Sequence, residues 1–230
     1  MRNGNRSLGD VHGLSRPARP DLTRRVSFRR ALLVSAGLSL LFLFVYGGCL
    51  WITARRGDVG VFYFEWERAI PFVPFMILPY LSIDLFFVLA PFLFPNEREL
   101  KLYARRVAMA ILLAGIGFLL WPLRFAFARP HTEGWLGAAF DSFRALDAPN
   151  NLFPSLHAAL LVLLVDAYAR HTRGAARISL MGWFALIGLS PVLTHQHHVI
   201  DIVGGFVLAG FCFVAVRPKI CLASGNETNP

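Results

Sequence analysis

The sequence predicts an all-α protein, a polytopic membrane helix bundle with six transmembrane helices, and three observations carry that expectation. Of 230 residues, 56% are apolar and 21 are Phe, above the roughly 45–50% apolar share of ordinary soluble domains. Residues 31–52 contain no charged side chain; a helix of that length, at about 1.5 Å rise per residue, covers a hydrocarbon core of roughly 30 Å. Basic residues gather at the ends of apolar stretches rather than in one basic domain, the pattern of loops sorted across a bilayer.

Residues 1–30 are rich in Arg, Gly, Pro and Ser and have no apolar period. They are expected to form a disordered basic cytoplasmic tail ending in the juxtamembrane run Arg24 to Arg30. Residues 31–60 hold the first span and the start of its outer connection; a cleaved signal would have an apolar region of only about 7–15 residues. The aromatic run from Phe62 to Trp66 suits the headgroup layer and predicts an interfacial turn or short helix. The second span, 70–94, carries Pro71, Pro74, Pro79 and Pro91, so it should be kinked, particularly near its start. Further spans are expected at 107–123, 155–169, 178–194 and 199–216, followed by a cytoplasmic tail over 217–230. The span at 155–169 is short, and burial among neighbouring helices accommodates that.

Placing the N-terminus inside puts 17 of the 23 Lys and Arg residues in the segments 1–30, 95–106, 170–177 and 217–230. The positive-inside rule then gives cytoplasmic termini and outward loops at 53–69, 124–154 and 195–198, in the cell membrane. The net charge of +9 reads as topology, not as a nucleic-acid footprint. Cys49, Cys212 and Cys221 form no CxxC pair and behave as small apolar residues.

Two outward stretches carry suggestive polar residues. Asn150 to His157 runs into an apolar helix, where Pro154 suits the first turn and Ser155 can cap. The same helix start offers unpaired amides and a positive dipole end that, with the Ser155 hydroxyl, would hold a phosphate. His157, one turn in, is placed to donate a proton. Forty residues on, Thr194 to Asp201 sets His197 and Asp201 four apart, on one helical face. A carboxylate on one imidazole nitrogen fixes the tautomer and leaves the other as a nucleophile. Three histidines, at 195, 197 and 198, also admit a metal-ligand reading, and a purely structural polar cluster at the headgroup layer is the plainer alternative. Of the carboxylates within apolar helices, Asp166 should pair with Arg170 at i+4, whereas Asp84 has no partner to name.

These residues resemble the type 2 phosphatidic acid phosphatase superfamily, which includes lipid phosphatases, vanadium haloperoxidases and inositol phosphorylceramide synthases. Its motifs run as a basic stretch ending in Arg-Pro, a Pro-Ser-x-His and a His-x-x-x-Asp; here stand Arg129-Pro130, Pro154-Ser155-Leu156-His157 and His197-His198-Val199-Ile200-Asp201. The stretches Ile70-Pro71-Phe72-Val73-Pro74 and Ser82-Ile83-Asp84-Leu85 are similar to the synthase-like, inositolphosphotransferase branch, and the resemblance spans about residues 60–216. It makes 61–216 the catalytic membrane domain.

The resemblance implies His197 as the nucleophile that forms a phosphohistidine and Asp201 as the group that orients it. It implies His157 as general acid, with Ser155 and Arg129 as phosphate ligands. Two positions depart from the family: its Lys seven residues before the Arg is Pro122, and its Ser-Arg six to seven before the nucleophile is Ser190-Pro191. Arg124 is a candidate replacement for the missing cation, since a guanidinium grips phosphate bidentately; a snorkelling helix end is its plainer reading. The expected activity is metal-independent and cofactor-free transfer of a phosphoryl or phosphodiester group from a lipid phosphate or phospholipid, to water or to an alcohol. A non-catalytic transporter or scaffold is the reading from another class.

Overall fold

The computed structural model describes residues 25–128, 130–146 and 150–218. Within them the protein is helical: α1 (Phe28–Thr53), α2 (Ile77–Leu89), α3 (Glu97–Leu120), α4 (Gly134–Leu146), α5 (Leu156–His171), α6 (Gly174–Leu193) and α7 (Val199–Ala215). Short 3-10 turns at Glu65–Ala69, Pro74–Met76 and Ala90–Leu93 complete it. Extended pairing among the described residues is confined to isolated bridges. The expected tail at 1–24, Arg129, and the C-terminal residues 219–230 with Cys221 lie outside the described residues.

Four helical stretches are long and apolar enough to cross a membrane: Phe28–Thr53, Pro74–Leu93, Glu97–Leu120 and Gly174–Leu193. α5 and α7, with 16 and 17 residues, are shorter. α5 is the central helix, packing against α2, α3, α6 and α7, while α7 packs against α5 and α3. That position explains why most of α5 from Leu156 to Leu164 is buried.

Several boundaries differ from the sequence expectation for local reasons. α1 starts at Phe28, because Ser27 caps it by accepting a hydrogen bond from the Arg30 amide (3.3 Å) while Val26 bonds to the Pro95 carbonyl. Residues 28–30 are therefore helix and not tail. α3 starts at Glu97 instead of 107: Asn96 accepts from the Glu99 amide (3.0 Å), and the charged residues expected in a loop form the first turns. The second span is broken where prolines crowd its ends. Residues 70–73 are extended or irregular, Pro74 opens a 3-10 turn and Pro91 sits in another. α4 lies inside the stretch expected as a plain outer loop.

At one end of the bundle, Asp166 pairs with Arg170 (2.7 Å) as expected and also faces Arg106 (3.7 Å), a buried guanidinium that donates to the Val216 carbonyl. At the opposite end, the Gly60 amide donates to the Pro122 carbonyl and the Gly60 carbonyl accepts from the Arg124 amide, Leu123 bridges to Asn151, and the Thr53 and Asn151 side chains bond at 3.0 Å. The Val73 amide bonds the Leu193 carbonyl at 2.8 Å, tying the start of α2 to the end of α6. These cross-links bring the segments 54–76 and 121–155 over the N-terminal ends of α5 and α7.

Candidate active site

The site forms where the N-termini of α5 and α7 meet. The Ser155 amide donates to the Asp201 carbonyl (3.0 Å), and the helices approach so closely that a Cβ on Gly205 would stand 2.3 Å from the Ser155 carbonyl oxygen. Only glycine permits that contact. Ser155 caps α5 by accepting from the Ala158 amide (3.2 Å), and the same hydroxyl lies 3.3 Å from His197 Nε2. With its oxygen already accepting, the hydroxyl proton is free to point at Nε2, which then carries the lone pair.

His197 Nδ1 lies 3.5 Å from Asp201 Oδ2, on one side of the α7 start as the four-residue spacing requires. That separation is longer than a good hydrogen bond, and catalytic contacts of this kind often tighten only around a bound substrate. Asp201 Oδ2 meanwhile accepts the His198 amide (2.9 Å), while His197 Nδ1 and Asp201 Oδ1 have no hydrogen-bond partner among the described residues. Asp201 is 1% exposed. His157, on α5, stacks on Tyr80 at 4.6 Å between centroids, and its Nε2 lies 3.3 Å from the Ile187 carbonyl. The Ile187 carbonyl accepts from Nε2–H, leaving Nδ1 as the nitrogen open to other partners.

His157 and His197 both line a cavity of about 480 Å³ that continues between α1 and α2, within the size range of small-molecule sites. Its remaining walls are mostly apolar, from Leu43, Phe87, Phe118 and Leu160 among others. The structure thus brings His157, Ser155, His197 and Asp201 together. Arg124 is exposed and does not line the cavity, and its guanidinium makes no hydrogen bond, ion pair or ring contact among the described residues. By contrast, Arg56 pairs with Asp58 and Arg68 with Glu65. Position 191, where the resembled family carries Arg, shapes the turn instead, because the Pro191 carbonyl accepts both the Gln196 and the His197 amides (2.8 and 3.0 Å).

The other two histidines are structural. His195 occupies the left-handed region (φ 54°), a conformation that His tolerates better than most residues, and so turns the chain from α6 into α7. Its pKa is held below the usual 6.5, chiefly by burial and further by nearby His198, against an opposing contact from the Ile70 carbonyl. His198 is buried, stacked on Phe125 at 4.3 Å. Its Nε2 accepts from the Ala126 amide (3.0 Å), so its proton sits on Nδ1 and goes to Glu67 Oε2 at 2.8 Å.

Glu67 belongs to no motif in the sequence. It is 3% exposed and accepts three hydrogen bonds, from His198 Nδ1, from the Val199 amide (3.2 Å) and, through Oε1, from the Phe64 amide (2.9 Å). It fastens the turn over Glu65–Ala69 to the two residues that follow His197. The three-residue offset from Phe64 is the one local signal that could have found it. No three His, Cys, Asp or Glu side chains among the described residues converge as a metal-holding group.

Fold and site together define a class: a bundle of membrane-length helices in which a Pro-Ser-x-His helix start and a His-x-x-x-Asp helix start meet at the mouth of an apolar cavity. A family model described as the PAP2 superfamily matches residues 72–215, and the chain belongs to that superfamily, whose members are generally phosphatases. No curated protein and no solved structure matches the chain.

Proposed function

We propose that this chain is an integral membrane enzyme that moves a phosphoryl or phosphodiester group from a lipid phosphate or phospholipid through a phosphohistidine. In this reading it has six spans, with α5 and α7 counted among them, both termini in the cytoplasm and the site on the outer face of the cell membrane. The observation that carries the proposal is the placement of His197. Its Nε2 faces the Ser155 hydroxyl, its Nδ1 faces Asp201, and its ring borders the apolar cavity.

The chemistry follows from those positions. The Nε2 lone pair attacks phosphorus while the Nδ1 proton stays toward Asp201, which stabilises the imidazolium that develops. The bond from phosphorus to the leaving alkoxide breaks, and that oxygen takes the Nδ1 proton of a His157 imidazolium whose Nε2–H stays on the Ile187 carbonyl, leaving His157 neutral. Ser155, the free first-turn amides of α5, Arg129 and Arg124 offset the charge on the phosphate oxygens, so that no metal or other cofactor is required. In the second half, water or an alcohol gives its proton to His157 and displaces His197.

An alcohol acceptor, as in the synthase-like branch, is favoured by one feature. Pro191 stands where the phosphatases' Arg would be, and its carbonyl is committed to the turn. The test is purified protein assayed with phosphatidic acid, an isoprenoid diphosphate, and ceramide plus phosphatidylinositol, with and without EDTA, alongside trapping of acid-labile phosphate on His197. Turnover that survives EDTA, with label on His197, is expected. Folded protein that neither turns over nor takes label would return the chain to a non-catalytic role, and loss restored by zinc would transfer the histidines to a metal.

A further inference from the structure

Asp84 is the single acidic residue on the cavity wall, and its carboxylate has no hydrogen bond or ion pair among the described residues. The side chain is exposed where the cavity opens between α1 and α2. It sits on α2 four residues after Tyr80, one helical turn and about 6 Å further from the outer end of the helix. Tyr80 is the residue that stacks on His157, so Asp84 marks a level one turn deeper than the proposed general acid. Ile83, Phe87 and Val88 beside it on the wall are apolar. A carboxylate held at membrane depth without a partner is costly, and such residues mark ligand paths.

We infer that Asp84 is a hydrogen-bond-accepting subsite that reads a hydroxyl or amine carried on the lipid backbone within a few bonds of the phosphate. The inference rests on the phosphoester reading of His197 and names the kind of lipid that reading admits. An ionised carboxylate only accepts. A phosphate lipid whose neighbouring oxygens are all esterified, or an isoprenoid phosphate, brings no donor and leaves Asp84 unpaired among apolar walls. A site built to bond a hydroxyl discriminates strongly against the analogue lacking it. The chain beyond the donor lies along the Leu43, Phe87 and Phe118 walls and leaves between α1 and α2.

The test uses a matched pair, 1-acylglycerol 3-phosphate with its free 2-hydroxyl and the 2-O-methyl ether of the same lipid, with full-length protein in detergent. A hydrogen bond to a charged acceptor corresponds to a preference in kcat/KM of about ten- to hundred-fold for the hydroxyl lipid. Asp84→Leu should bring the ratio close to one. Should that variant fail to fold, Asp84→Asn, which keeps an acceptor oxygen but not the charge, should give an intermediate ratio. A wild-type ratio near one, or a ratio unchanged in the variants, overturns the subsite while leaving the phosphoester reading in place. If wild type turns over neither lipid and His197 takes no label, both fall together.

Discussion

Replacing Glu67 tests whether the turn over Glu65–Ala69 holds the loop that carries His197. Its Oε2 receives His198 Nδ1–H and the Val199 N–H, and its Oε1 receives the Phe64 N–H. The His198 donor is buried, whereas the bonds from the Phe64 and Val199 amides are part-buried. A glutamine in the same place has one oxygen; with that oxygen toward His198 and Val199, its NH₂ faces the Phe64 N–H, and turned the other way it opposes two donors. At least one donor loses its acceptor, at a cost of about 1–3 kcal/mol where that donor is buried. For a chain of this size that lowers Tm by about 2–12 °C. Glu67→Ala leaves all three donors without their acceptor and should lose more than the glutamine variant, about 1–3 kcal/mol for each donor left buried and unpaired. Thermal unfolding in detergent, read beside turnover, checks both. Activity should fall further than the loss of folded protein accounts for, because His198 and Val199 directly follow His197. A Glu67→Ala protein melting within about 1 °C of wild type with unchanged kcat would refute the fastening role.

Three other outcomes are expected. His197→Ala should abolish turnover and phosphate labelling, His157→Ala should lower kcat by about 10²–10⁴-fold for poor leaving groups, and Asp201→Asn should lose a comparable factor with the fold retained; near-normal kinetics in all three would make the histidines structural. Ser142→Cys, exposed on α4, should react with an impermeant thiol reagent added outside intact cells; labelling only after permeabilisation would invert the topology. Burial holds the His195 pKa below 6.5, so the unfolded chain takes up the proton first on acidification and this contribution to stability is lost as pH falls below about 6.5. His195→Asn, which tolerates the left-handed turn, should therefore show a flatter Tm between about pH 7.5 and about pH 5.5 than wild type; parallel curves would remove His195 from the pH response.

Hydropathy made the long helices legible because their apolar stretches exceed anything a soluble core needs, and the pairing of Asp166 with Arg170 followed from helical spacing alone. The start of α3 was hidden by its own charges: Glu97, Arg98 and Lys101 read as a loop, while Asn96 as a cap overrides that impression. α4 escaped because its apolar residues, Leu136 and Phe140 among them, are too few for a span. At the site, the four-residue spacing paired His197 with Asp201, although His197 precedes the His198 cap and so lies just outside α7 rather than on its face, and the capping serine announced its own helix start. Glu67 could not be found that way. Its partner His198 is 131 positions distant, and a carboxylate among surface aromatics looks solvated until the chain folds over it.

The lengths of α5 and α7 carry one more consequence. At about 1.5 Å per residue, their 16 and 17 residues extend about 24–26 Å, whereas the 26 residues of α1 extend about 39 Å. The two helices whose N-termini bring His157 and His197 together therefore fall short of a hydrocarbon layer of about 30 Å, whereas α3, which packs against both, has 24 residues. In the proposed lipid-phosphate reading, a headgroup reaches the site most readily where the surrounding leaflet thins toward these short helices, at a cost that grows with each ångström of mismatch. Bilayer thickness thus becomes, in that reading, a control on turnover that involves no residue of the site: short-chain lipids favour it and thick sterol-rich membranes oppose it.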